Sequence, residues 1–321
     1  MTVSQLKKNK LVIFFYKIYV FFLKKIKRFL SFPIHLGESD CYPASPFNVE
    51  GNQLSLDSLE KKIKFWSGAC KKHKTLKYFY EENPHKLFVA NSTIGVEHKY
   101  YKPLFDFYKD GVGVINSFYD ESEFNLIEDF FKKKVDPQLE NDSKGSWFSN
   151  NIELNKIIFN KLSPIERIIF DKKTNIQQYV LAAFKKNKNN KSAYKHSVKF
   201  HVDRYIPSIK LIYFHSDVKI DPFEYYLKSH IINNNFYENV KIFLKESPAT
   251  IDAQLDSLKI NNYLPKKFFV KKNSLVIAAT HGLHRRSQTD DKLAEGVRRF
   301  ITTNYYNEFT KIDLLKSLYL N

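Results

Sequence analysis

Only two of the 321 residues are cysteine, Cys41 and Cys70, so the chain can build neither a disulfide framework nor a cysteine-ligated zinc site. Two free thiols in a reducing cytoplasm are the expectation. Crossing a bilayer core takes ~20 consecutive apolar residues, and the first apolar stretch, Leu11 to Leu23, is broken by Lys17. No small-x-small cleavage site follows it, where Phe29-Leu-Ser-Phe-Pro33 stands, so no secretory signal is expected. Acid is also missing early: the first carboxylate is Glu38. Over the whole chain 52 Lys and Arg face 34 Asp and Glu, a formal charge of +18 that favours anionic partners without choosing among lipid surfaces, acidic glycans and nucleic acid. With 43% hydrophobic and 16% aromatic residues the chain can bury a sizeable core, which excludes a disordered protein.

What stands at the N-terminus is a basic amphipathic segment. Lys10, Lys17 and Lys24 recur every seven residues and form one stripe of a helix opposite Ile, Phe, Tyr, Val and Leu, beside the dense block Lys24, Lys25, Lys27 and Arg28. That pattern predicts an interfacial helix whose residues 1–30 contact an anionic membrane surface, with docking on the protein's own core or on a partner as the alternative. From Gly37 to Pro103 there is no motif; Pro43, Pro46 and Gly51 mark loops before a helix from Leu56 to about Phe65. At Phe105 the character changes. A strand Gly111-Val-Gly-Val-Ile115 is followed by a helix from Asp120 to Val135, opened by Asp120 with Glu123 three residues on, a capping-box spacing, and buried through Phe124, Ile127, Phe130 and Phe131. After a Lys/Asn-rich loop, Lys185 to Lys199, come strands at Ser197–Val202, Ser208–Phe214, Lys272–Ala279 and Arg298–Tyr305, with a long, partly helical connection from Phe223 to Leu264. Strands and helices do not alternate as a parallel sheet requires. The expected class is therefore mainly β with flanking helices (α+β), with a double-stranded β-helix, or cupin-like jelly roll, at the core and a helical N-terminal extension.

Within FHVDRY, Phe200 to Tyr205, His201 and Asp203 lie two apart, so an extended chain turns both to one face, where imidazole and carboxylate can meet on one metal ion. A ferrous site needs a second histidine from elsewhere. KKNSLVIAATHGLHRRS, Lys271 to Ser287, offers His281 and His284, which on one extended strand would face opposite ways, so only one can serve. GVRRFITTNYY, Gly296 to Tyr306, then offers Arg298 or Arg299, again on opposite faces, as a planar fork for a dicarboxylate. A second His-x-Asp, His215-Ser-Asp217, is read as packing or hydrogen bonding within the sheet.

In this order the chain resembles the phytanoyl-CoA dioxygenase family of Fe(II)- and 2-oxoglutarate-dependent oxygenases, over about Leu104 to Asn307. The resemblance rests on YKDGVGVINSFYDESEFNLIEDFF, FHVDRYIPSIKLIYFHSDV, DPFEYYLKSH and SLVIAATHGLHRRS followed by GVRRF. It implies His201, Asp203 and His284 as metal ligands, Arg298 as the anchor of the 2-oxoglutarate cosubstrate, dioxygen as oxidant, and succinate and carbon dioxide as co-products. His281 stays open beside His284, and Arg299 beside Arg298. An Asp at the carboxylate position implies hydroxylation or a related oxidation, since halogenating relatives carry a small residue there. Asp221 and Lys228 depart from the family, standing where glycines are common, and His230 is read as structural. Tyr205, Lys210, Tyr213, Tyr225, Tyr226, Arg285 and Arg286 are candidates to line the site. The expected organisation is a basic helix at 1–37, an extension at 38–103, the oxygenase domain at 104–309 and a C-terminal helix at 310–321. The expected substrate is a small molecule, lipid or glycan. The expected location is cytoplasmic, peripheral to the inner face of the membrane. Nucleic-acid demethylation and a non-catalytic jelly-roll module are the competing readings.

Overall fold

The computed structural model describes residues 56–170, 179–186, 200–246, 260, 263–287 and 296–303. The expected helices at 1–37 and 310–321, Cys41, and all of the Lys/Asn-rich loop beyond Lys186 lie outside them. Among the described residues no helix is long and apolar enough to cross a membrane.

Helices α1 (Leu56–Lys72), α2 (Pro84–Asn91) and α3 (Tyr101–Asp110) come first. α1 continues past the expected end at Phe65 because Ile63, Trp66 and Cys70, spaced three and four apart, carry one buried stripe onward. α3 stops at Gly111, whose φ of 91° is left-handed and whose N–H returns to the Phe107 carbonyl. A side chain there would collide with Tyr225, its Cβ 2.6 Å from the hydroxyl, so glycine is required twice over. β1 (Val112–Ile115) leads to α4 (Glu121–Phe130), where the capping box forms as expected: Asp120 accepts from the Glu123 N–H at 3.0 Å, and Glu123 from the Asp120 N–H at 3.1 Å. The expected helix does not run on unchanged to Val135; it loosens into a π turn at Phe131–Val135 and a 3-10 turn at Asp136–Glu140. Then follow β2 (Lys144–Phe148), α5 (Ile152–Phe170), β3 (Tyr179–Lys186), β4 (Ile209–Phe214), β5 (Phe223–Leu227), α6 (Asn234–Glu246), β6 (Leu264–Phe268), β7 (Ser274–Ala279), β8 (His284–Arg286) and β9 (Gly296–Thr303).

The strands pair antiparallel throughout, in a large sheet of order β1-β7-β4-β9-β3-β2 and a small one of order β6-β5-β8. Strand alternation then sorts the core into two layers. Val276 and Ala278 of β7 meet Phe223, Tyr225 and Phe268 of the small sheet, filling the space between the sheets. Leu275, Ile277 and Ala279 point the other way, into a larger cluster with Ile63, Leu76, Phe79, Phe88 and Leu104 from the helical segment. The core is a double-stranded β-helix, a jelly roll with helices on the outer face of its large sheet. Two expectations change. The connection from Phe223 to Leu264 contains a strand, β5, which pattern alone misses because four of its five residues are buried and do not alternate. Residues 200–202 do not form a full strand; His201 makes a single bridge, to His284.

Candidate metal site

That single bridge builds the site. His201 and His284 exchange N–H to carbonyl hydrogen bonds, both 3.0 Å, which sets their imidazoles side by side with centroids 4.4 Å apart. The Asp203 N–H donates to the Thr280 carbonyl at 2.8 Å, tying the carboxylate to the turn that carries the distal histidine. Asp203 Oδ1 consequently lies 4.0 Å from His201 Nε2 and 3.8 Å from His284 Nε2, and the three candidate ligand atoms all fall within 4.8 Å of one another. Two imidazoles and one carboxylate in this arrangement fit a ferrous ion with open coordination positions.

The tautomer suits the same role. His284 Nδ1–H donates to the Gly282 carbonyl at 2.9 Å, which leaves the Nε2 lone pair facing Asp203. Burial, with the neighbouring His201, pushes the His284 pKa down to about 3, so the ring is neutral at pH 7, as a ligand must be. Asp203 is half-buried, and its desolvation works to raise its pKa, but Lys210 Nζ at 2.7 Å from Oδ2 and the two imidazoles hold it well below the usual carboxylate range. It is a fixed negative charge with one oxygen taken by Lys210 and the other turned to the histidines.

His281 is directed elsewhere. β7 ends at Ala279, and a turn closed by the Gly282 N–H on the Ala279 carbonyl, 3.0 Å, separates the two histidines, so they do not share one extended strand as the spacing suggested. A Cβ at Gly282 would sit 1.9 Å from the Tyr225 hydroxyl, so only glycine lets the turn pack. His281 donates Nε2–H to the His230 carbonyl at 2.9 Å and accepts the Ser208 N–H on Nδ1 at 3.0 Å, edge-on to Phe79. It is a pin between the large sheet and the helical layer. The second His-x-Asp lies apart too: His215 stacks on Phe124 and Phe131 and donates to Glu128 of α4, while Asp217 accepts the Lys272 N–H. His215 thus packs and hydrogen-bonds within the sheet as expected, through Nδ1 to the Tyr213 hydroxyl at 3.2 Å, and also reaches a helix. His230 donates Nε2–H to the Tyr108 carbonyl inside the core.

β9 divides its arginines by the same alternation. Arg299 faces out and makes a bidentate pair with Asp136, 2.9 and 2.7 Å. Arg298, opposite Phe184 in the β3–β9 register, faces in and is 9% exposed, with Nη1 donating to the Asp221 carbonyl and Nε buried without a partner. Burial, then the nearby Arg286, lowers its pKa to about 10, so it remains cationic at pH 7. It shares with His201 and His284 a cavity of about 150 Å³. An orphaned guanidinium N–H beside a two-histidine, one-carboxylate cluster suits a bidentate chelator that ends in a second carboxylate. Of the other candidates, Lys210, Arg285 and Arg286 line the cavity, whereas Tyr205, Tyr213, Tyr225 and Tyr226 are buried in the packing. Sequence reasoning missed Ile212, Phe214 and Phe300, although the signal was there: Lys210, Ile212 and Phe214 are alternate residues of one strand.

Asp221 and Lys228, standing where the family resemblance leads one to expect glycine, both adopt left-handed backbone, φ 45° and 68°. The loop conformation survives the loss of glycine, and the Asp221 carbonyl is the one that Arg298 grips.

No protein-family profile and no curated protein matches the chain. Among solved structures it is similar to the non-heme alpha ketoglutarate dependent carbocyclase SnoK from nogalamycin biosynthesis, at 11% identity over 66% of this chain and 83% of that one, with a TM-score of 0.45. HygX from Streptomyces hygroscopicus, with nickel, 2-oxoglutarate and hygromycin B bound, is similar at 15% identity, 63% and 84% coverage and a TM-score of 0.38. EctD from S. alaskensis with bound Fe gives 10% identity, 62% and 73% coverage and 0.40. At such identities no residue's role transfers.

Proposed function

We propose that the protein is an Fe(II)- and 2-oxoglutarate-dependent dioxygenase of the phytanoyl-CoA dioxygenase type, with residues 104–309 as its catalytic unit, that hydroxylates a C–H bond and releases succinate and carbon dioxide. One observation carries the reading: His201 and His284, clustered with Asp203, line the same small cavity in which Arg298 is buried with a free N–H. Iron, once held there with 2-oxoglutarate and dioxygen, would supply the oxidising chemistry. The chain supplies the placement. His201 and His284 offer Nε2 lone pairs, and Asp203 offers Oδ1 while Lys210 holds Oδ2. Arg298 offers its fork to the distal carboxylate of the cosubstrate. Ile212, Phe214, Phe223 and Phe300 supply the apolar part of the cavity wall. With Asp203 filling the carboxylate position, the favoured outcome is hydroxylation. Anaerobic addition of Fe(II) and 2-oxoglutarate should raise the weak visible charge-transfer band of the chelate; no band at saturating concentrations sinks the proposal and leaves the binding-module reading.

For the substrate, the basic N-terminal segment supports a small molecule, lipid or glycan presented at the anionic inner face of the membrane, with the enzyme cytoplasmic and peripheral. The full chain should sediment with phosphatidylserine vesicles at low salt, and a chain lacking residues 1–30 should not. Equal sedimentation of both removes the membrane reading, and tight single-strand DNA or RNA binding with a steep salt slope would favour the nucleic-acid alternative.

A further inference from the structure

Three arginines, Arg285, Arg286 and Arg298, line the cavity, and they are not turned the same way. On β8, His284 and Arg286 are alternate residues, paired across to Tyr225 and Phe223, so both face the space between the sheets, while Arg285 faces away to Glu224 at 2.8 Å and lies over Phe200. On β9, Arg298 faces the same space from the opposite sheet. The two arginines meet on one aromatic ring: the guanidinium carbons of Arg286 and Arg298 lie 5.3 and 5.4 Å from the centroid of Phe184. Arg286 is half-buried, and its repulsion adds to burial in lowering the Arg298 pKa. A carboxylate placed between two such forks relieves that repulsion and takes charge-assisted bonds from both.

We infer that Arg286 is a second anchor for the distal carboxylate of the cosubstrate, closing a two-arginine clamp with Arg298 beside the ring of Phe184. This rests on the dioxygenase reading of the site and makes it more specific: the ligand terminus held there is a carboxylate, gripped from both sheets at once. Because β8 also carries His284, the clamp ties cosubstrate binding to the strand that presents a metal ligand.

The test measures binding without turnover. Under anaerobic conditions with Fe(II), dissociation constants are determined for 2-oxoglutarate and for 2-oxopentanoate, which keeps the chelating oxo-acid and lacks the distal carboxylate. Arg286→Met should weaken 2-oxoglutarate roughly ten- to a hundredfold, the worth of a charge-assisted hydrogen bond, and leave 2-oxopentanoate within about threefold of wild type. Arg286→Lys should recover part of the loss. If Arg286→Met binds 2-oxoglutarate as wild type does, or weakens both ligands alike, the clamp is wrong. Should Arg286→Met fold poorly, Arg286→Lys decides alone: it should weaken 2-oxoglutarate selectively and less than tenfold, and an unchanged preference for 2-oxoglutarate over 2-oxopentanoate overturns the clamp. A wild-type protein that binds neither oxo-acid with Fe(II) would instead refute the dioxygenase reading, a distinct result.

Discussion

Replacing Arg298 with methionine separates a binding role from a structural one, because the two predict opposite responses. If Arg298 holds the cosubstrate, the variant loses up to two charge-assisted hydrogen bonds to a carboxylate, each worth roughly 1.5–3 kcal/mol, so 2-oxoglutarate affinity should fall about a hundredfold or more. Stability should behave differently. In the free protein Arg298 makes a hydrogen bond to the Asp221 carbonyl, has an orphaned Nε, and is buried enough for its pKa to fall to about 10. Keeping that charge inside costs on the order of 3 kcal/mol, offset in part by the hydrogen bond to Asp221. A methionine, shorter but flexible, would lie against Phe184 and Phe300, whose ring centroids are 5.4 and 5.6 Å from the guanidinium carbon, and replacement of a buried charge by an apolar group is commonly neutral or stabilising. The expected pattern is a melting temperature unchanged or raised by a few degrees, on the order of 2 °C per kcal/mol for a chain of this size, together with the loss of cosubstrate affinity. Calorimetry and anaerobic titration read the two quantities independently. A variant that melts much earlier yet binds 2-oxoglutarate normally would show that Arg298 holds the sheets together, and the cosubstrate argument would fail.

The two distal histidine candidates should separate in the same way: His284→Ala should abolish tight Fe(II) or Mn(II) binding with little loss of fold, whereas His281→Ala, which removes two buried hydrogen bonds, should cost about 2–4 kcal/mol and leave metal affinity intact in the folded fraction. The reverse pattern would reassign the ligand. Lys228, exposed and left-handed at φ 68°, should become more comfortable as glycine; Lys228→Gly should stabilise by about 0.5–1 kcal/mol in urea denaturation, and a clear destabilisation would contradict the backbone argument. Acid should weaken the fold early: burial holds His215 and His281 at about 4 and His230 at about 3, against 6.5 when unfolded. Their pKa values are depressed, so their contribution is complete above pH 6.5 and is lost as pH falls through 6.5 toward 4 and 3, at up to ~1.4 kcal/mol per histidine per pH unit. Melting curves from pH 7.5 to 4 read this directly, and a flat profile would mean that these rings charge freely in the native state.

How much of this was legible beforehand depended on which kind of pattern carried the information. Period-two alternation did most: it paired His201 with Asp203 and split Arg298 from Arg299, and the capping box at Asp120 marked a helix start that forms as the spacing requires. Alternation gave no help where both faces of a strand are covered, so FEYYL of β5 merged into a supposed loop, and the small sheet that carries His284 was missed with it. The choice between His281 and His284 was beyond counting for a different reason. It depends on a four-residue turn, Ala279 to Gly282, made possible by Gly282 packing under the Tyr225 hydroxyl, a contact between residues far apart in sequence. Tyr225 in turn fills the space above Gly111, the glycine that ends α3. One tyrosine on the unrecognised strand thus sets the ends of two elements whose sequences look unrelated, and its hydroxyl donates to the Ala279 carbonyl at the last residue of β7. Residues that bind a metal can be recognised by type and spacing; the side chain that aims them is an ordinary core aromatic, and only the fold distinguishes it from the chain's other tyrosines.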